Sequence, residues 1–262
     1  MKPLTLIAAL AIAVSSPVAA KDTPEFRQVR AKENVTFRPD RAYLLMRVRK
    51  PLSRAFNESG PEWLRLPTAS EMAAYETARK GRAPQQGDFP LPDGFSFHFY
   101  SFDLDRATVR DANGWTVLVE AIPGTYALTG VAWHGFSTSC FCLGSVRFEA
   151  KPGVLTDLGT FLVERAADPS PEPELAPVSN LGAIAKMDYY LPAGAIRPAT
   201  ATDPIPTQAG GAPRVLADYH AFAPFVLGGA QFSIFLAPMP GVLEYRRGGV
   251  FDVKADQILQ PR

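Results

Sequence analysis

Between residues 42 and 164 the chain repeats one pattern, short apolar or alternating runs cut by turn residues. AYLLMRVR (42–49) is an apolar run that passes into alternation, and FSFHFYSF (95–102) alternates aromatic with smaller or polar positions. WTVLVEAI (115–122) is apolar and β-branched, TYALTGVAWH (125–134) alternates strictly, and CLGSVRFEA (142–150) and LGTFLVE (158–164) complete the series. Successive side chains of a strand point to opposite faces, so period-two runs mark half-buried strands. Short strands at this spacing predict an antiparallel β-sandwich or barrel. The turns agree. Asn113-Gly114 is a hairpin signal, Pro123-Gly124 separates two strands, and Pro152-Gly153 acts similarly before Val154-Leu155.

One stretch has a different character. EMAAYETARKGR (71–82) is rich in helix formers, with Ser70 placed to cap it and Gly81 to end it. Its apolar stripe is narrow, so a surface helix inserted near 70–81 is expected.

After residue 165 the pattern loosens. ADPSPEPELAPVSN (167–180) is a proline- and acid-rich connector expected to be extended and to contribute no core. AIAKMDYY (183–190) is a short strand candidate, and 191–213 is loose. APFVLGGAQFSIFLAP (223–238) has paired glycines, a glutamine and flanking prolines, so buried strands fit it better than a membrane span. VLEYRRGGVFDVKA (242–255) reads as a hairpin turning near Gly248-Gly249. The layout expected is a β-sandwich domain over 21–165 with the helical insert, a proline-rich connector over 166–182, and additional strands and extended segments over 183–262. Whether that last part extends the first sheets or forms a small second subdomain stays open.

Composition changes the picture at the N-terminus. MKPLTLIAALAIAVSSPVAA (1–20) has a basic start, an apolar stretch and small residues before Lys21, the pattern of a cleaved signal peptide. The expectation is an exported protein, periplasmic or extracellular, with no transmembrane span in the mature chain. The formal net charge is +1, and Lys2 is the only charge in the leader, so the remainder is balanced. A balanced chain argues against nucleic acid and against a polybasic membrane patch as partners. The 25 prolines disfavour long helices and central strands, which suits a loop-rich β protein.

PGTYALTGVAW (123–133) followed by VRFEAKPGVLTDLGTFLV (146–163) resembles transthyretin-like and carboxypeptidase-regulatory-like β-sandwich domains of bacterial exported proteins. The resemblance covers about forty residues. It implies an immunoglobulin-like or transthyretin-like sandwich in the N-terminal half and carries no catalytic residues to this chain.

Both cysteines lie in TSCFCLGSVRFEA (138–150). Alternation places Cys140 and Cys142 on one face with Val146 and Phe148, because Arg147 and Glu149 want water. A hairpin through 135–139 would bring His134 near Cys140. A His-Cys-Cys set suits Zn or Cu(I), but it leaves a ligand short. A Cys140–Cys142 disulfide suits an oxidising compartment. Along a regular strand, however, Cα atoms two apart are ~6.5–7 Å from each other, at the edge of the bridging range. A bridge therefore needs a local turn or bulge; free buried thiols are the other alternative.

Sequence signatures of hydrolases, phosphate loops and dinucleotide sites are absent. Asp103, Asp105 and Asp111 could pair as glycosidase carboxylates, but a solvated strand face is the simpler account of them. The function expected is a non-enzymatic binding or structural β-sandwich of the cell envelope, without a cofactor, its partner an envelope protein or glycan. The alternative is a metal-binding or redox-linked protein using Cys140, Cys142 and His134.

Overall fold

A computed structural model describes residues 26–52, 60–79, 99–132, 139–178, 191–225 and 232–261. The leader 1–20, residues 95–98, the strand candidate 183–190, Gly81 and His134 lie outside the described residues.

The protein is mainly β, with several largely antiparallel sheets and one α-helix among the described residues. The strands are β1 (Phe26–Val29), β2 (Ala42–Arg49), β3 (Gly60–Arg65), β4 (Phe99–Ser101), β5 (Val109–Asp111), β6 (Gly114–Ala121) and β7 (Gly124–Ala132). They continue with β8 (Ser139–Cys140), β9 (Ser145–Ala150), β10 (Leu155–Arg165), β11 (Pro192–Arg197), β12 (Arg214–Leu216) and β13 (His220–Phe222). The last are β14 (Phe232–Ser233), β15 (Leu243–Arg246), β16 (Gly249–Asp252) and β17 (Gln257–Leu259). The first sheet runs β1-β6-β2-β10-β11, with β5 on β6 and β12 on β10; the second runs β13-β9-β7-β3-β4, with β8 on β7 and β14 on β8. β15, β16 and β17 make a small third sheet.

The two large sheets share one hydrophobic cluster. Leu44, Met46, Val117, Val119, Leu158 and Phe161 enter it from the first sheet, and Trp63, Tyr126, Leu128, Val146 and Phe148 from the second. β2 is apolar on both faces because both are covered. Tyr43 and Leu45 face the other way, into a smaller cluster with Val29, Leu118, Leu155 and Ala209. Burial of side chains of this size stabilises by ~1.5–3 kcal/mol each relative to exposure.

Three features depart from the expected pattern. First, β10 pairs parallel with both β2 and β12, so the first sheet is mixed. A parallel neighbour requires a long crossover, which alternation along a strand does not encode. Second, Pro123-Gly124 makes no hairpin: β6 and β7 lie in different sheets, and the chain turns a corner between them. The Tyr126 hydroxyl donates to the Ile122 carbonyl across that corner at 2.6 Å. Third, β7 does not alternate strictly. Glu62 faces Gly130 and Trp63 faces Leu128, which leaves Thr129 as an extra residue. Leu128 and Val131 consequently both reach the shared core.

The helix α1 spans Ala69–Arg79. Its cap is Thr68 rather than Ser70: Thr68 Oγ1 accepts from Glu71 N at 3.2 Å, and Glu71 Oε2 accepts from Thr68 N at 2.6 Å. This is a reciprocal capping box. Arg65 on β3 meets Glu71 at 2.6 Å and ties the helix to the second sheet.

The proline-rich connector packs, contrary to expectation. A 3-10 turn, Pro173–Leu175, buries Leu175 against Leu162, Ala166, Ala193 and Ala195. Glu172 and Glu174 hold Arg197 at 2.7 and 2.5 Å, so the acids of this stretch serve as anchors on β11. Beyond it, β11 and β12 flank β10 and β13 pairs with β9. The predicted 242–255 hairpin is present as β15 and β16.

Candidate functional site: the disulfide loop and the apolar groove beside it

Cys140 and Cys142 are joined by a disulfide, with Cα atoms 5.0 Å apart. The strand ends at Cys140 and the chain turns through Phe141 to Gly144, where Gly144 N donates to Phe141 O at 3.2 Å. That turn brings the two Cα atoms inside the bridging range, closer than a regular strand would. It also reverses the expected faces. Phe141, between the cysteines, enters the shared core against Phe161. The cysteines lie outside it, buried with Ala127, Phe222 and Phe225. They therefore do not share a face with Val146 and Phe148.

The C-terminal segments hold this loop through its carbonyls. Ile234 N donates to Cys140 O at 2.7 Å, Phe225 N to Cys142 O at 3.0 Å, and Leu236 N to Gly144 O at 3.1 Å. Gly144 has φ +150, and a Cβ there would stand 2.6 Å from Val250 Cγ2 and 2.8 Å from Tyr245 Cε1, so only glycine fits.

Of the three residues considered for a metal, His134 lies outside the described residues, and the bridge engages both thiols that a metal would need as thiolates. Among the described residues no group of three His, Cys, Asp or Glu side chains is placed to hold a metal ion. The three aspartates do not converge. Asp103 Oδ1 accepts from Asp105 N at 3.0 Å at the start of a 3-10 turn, and Asp105 pairs with Arg110 at 3.2 Å. Asp111 Oδ1 accepts from Asn113 N and Gly114 N at 2.7 and 3.1 Å. Asp103 and Asp111 act as turn-forming acids, and Asp105 as one side of an exposed ion pair.

Two features escaped the sequence. Glu62 lies in register with Gly130, and Gly130 with Cys140, which puts Glu62 and Cys140 on one face of three neighbouring strands. Burial pushes the Glu62 carboxyl up to about 7. A lone acid beside Trp63 was the available signal. The second feature is an apolar groove of about 400 Å³ directly beside the loop, formed by Leu143, Val178, Pro192, Phe235, Pro238 and Tyr245. Leu143 is 37% exposed and Phe235 46%, both large apolar side chains open to solvent. Phe235 stands edge-on to Tyr245 at 5.0 Å, and the Tyr245 hydroxyl is taken up by Leu236 O at 2.7 Å. The groove is thus nearly free of polar groups.

No family model, no curated protein and no solved structure matches this chain. The resemblance to transthyretin-like domains accordingly rests on residues 123–133 and 146–163 alone.

Proposed function

We propose that this is an exported, non-enzymatic β-sandwich that serves as a binding or structural element of a bacterial cell envelope, in the periplasm or outside the cell. The observation that carries the binding role is the apolar groove at Leu143, Phe235 and Tyr245, since open apolar surface rimmed by polar residues marks interaction sites. The occupant it fits is an uncharged, extended apolar segment of another envelope protein. Among the described residues no ion pair lines the groove, and its aromatic and proline walls suit apolar side chains. Two features support the sandwich: a core shared by the two sheets, and the Tyr126–Ile122 bond, which resembles the tyrosine corner of immunoglobulin-like sandwiches. The leader pattern of residues 1–20 supports export.

The test is a titration of ¹⁵N-labelled protein with uncharged apolar peptides from envelope proteins, parent against Phe235→Ser. Saturable shifts near Leu143, Val178 and Tyr245 that vanish in the variant are expected. Absence of binding by every peptide, or binding indifferent to Phe235→Ser, would overturn the proposal.

The second reading, a metal-binding or redox-linked protein built on Cys140, Cys142 and His134, is favoured by the pairing of the two cysteines in one short loop. Native mass spectrometry of the reduced protein with Zn²⁺ or Cu⁺ tests it. One ion retained per chain, and lost on Cys142→Ser, would replace the binding reading.

A further inference from the structure

Arginines in the strands of this protein are almost all matched to carboxylates. Arg27 meets Glu120, Arg47 and Arg214 meet Asp157, Arg65 meets Glu71, and Arg197 meets Glu174. Arg49, Arg110, Arg165 and Arg246 are paired in the same way. Arg147 on β9 is the exception, with no ion pair or hydrogen bond to any carboxylate among the described residues. It is half-buried and lines a cleft of about 310 Å³ that shares no lining residue with the apolar groove.

The cleft lies where the chain leaves β12 in the first sheet and enters β13 in the second. Its polar wall comes from β7 and β9, with Thr125, Arg147 and the exposed Lys151. Its other wall holds Val215 and Leu216, apolar side chains 43% and 44% exposed. Thr156 also lines it, buried, with a hydroxyl that has no hydrogen-bond partner among the described residues. The two acids present do not neutralise Arg147. Asp218 is taken by Lys254 and stands 3.6 Å from His220 Nε2, and Glu149 is exposed.

We propose that this cleft binds a small organic carboxylate. Its charged head lies on the Arg147 guanidinium with Lys151 as second cation, and its apolar body lies against Val215 and Leu216. A guanidinium fork matches a carboxylate in two parallel hydrogen bonds, and partial burial strengthens such a pair. The size of the cleft suits a ligand of about a dozen heavy atoms.

The experiment is an NMR titration of the ¹⁵N-labelled protein with sodium hexanoate, hexanamide and sodium phosphate in turn. Hexanoate is expected to give saturable shifts at Thr125, Arg147, Lys151 and Leu216, with hexanamide at least ten-fold weaker. Arg147→Gln is expected to weaken hexanoate at least ten-fold while the ligand-free variant unfolds at the parent's midpoint. Leu216→Asp, at an exposed position, is expected to weaken it similarly with the fold kept. Unsaturable shifts, equal affinity for the amide, binding of phosphate alone, or indifference to both variants would overturn the proposal. A ligand-free Arg147→Gln protein that unfolds more readily would also overturn it, since the guanidinium would then serve the fold.

Discussion

The Arg47 guanidinium and the Asp157 carboxylate meet through two parallel hydrogen bonds, Nη1 to Oδ1 and Nη2 to Oδ2, both 2.9 Å. They bring together β2 and β10, parallel neighbours 110 residues apart. The same carboxylate accepts from Arg214 Nη2 at 2.7 Å and from Gly159 N at 2.9 Å, and it has no solvent exposure. Arg214 continues to the carbonyls of Thr200, Ala201 and Asp203, so one buried acid fixes the loop after β11 to the sheet.

Removing that acid strands two guanidinium groups. Asp157→Ala is expected to cost ~3–5 kcal/mol, the usual penalty for breaking a buried pair. Arg214→Ala leaves the Arg47 pair intact and is expected to cost less, ~1–3 kcal/mol. Urea denaturation of the two variants checks the order; equal losses would mean that Arg214 carries the whole anchor.

Glu62 sets a pH dependence opposite to that of a paired acid. Burial raises its folded-state value to about 7 against an ordinary 4.5, so the folded chain holds a proton that the unfolded chain has lost. Stability should therefore fall as pH rises from about 4.5 to about 7, and be flat for this group beyond. The full loss is roughly 3 kcal/mol. Glu62→Gln should remove this descent and raise stability at pH 8. Denaturation midpoints between pH 4 and 8 in both proteins measure it, and an unchanged slope in the variant would sink the assignment.

Glu71 behaves in the other direction. Its hydrogen bond with Arg65 pulls its carboxyl down to about 2 against burial, with help from the bonds to Thr68. Its stabilising contribution is complete above the unfolded value near 4.5 and is lost as pH falls through about 2. The side chain is partly exposed, so the contribution is screened. Thr68→Ala is expected to cost ~1 kcal/mol through loss of the cap. Amide exchange in α1 should rise selectively in that variant and, in the parent, below pH 3.

The disulfide closes only three residues, so its effect on the unfolded chain is small. Replacing both cysteines by alanine is expected to cost ~1.5 kcal/mol by loop-closure entropy, with the fold retained. The amides of Phe225 and Ile234, which donate to Cys142 O and Cys140 O, should lose exchange protection first. Protection lost uniformly instead would show that the loop is not the local anchor of the C-terminal segments.

Where one face of a strand meets a core, the order of residues was enough. β2 and β9 fall within the apolar runs, β6 overlaps its run and β10 extends past both ends of its own, and the 242–255 hairpin turns within Arg246–Gly249, because period-two burial and turn chemistry act between near neighbours. The asymmetry between the acids of the connector and the acid at 157 was not legible. Both are single carboxylates in the sequence, and only the arrival of Arg197, Arg47 and Arg214 from remote strands decides what each holds.

The sequence by itself determined that the chain is mainly β, that one capped helix interrupts it, and that its two cysteines stand one residue apart. Tertiary structure decided the parallel pairing of β2 with β10, the outward face of the bridge and the isolation of Arg147. Each depends on which remote segments pack together. A side chain's face follows from its own strand, but its partner follows from contacts that loop closure between distant residues must first bring about.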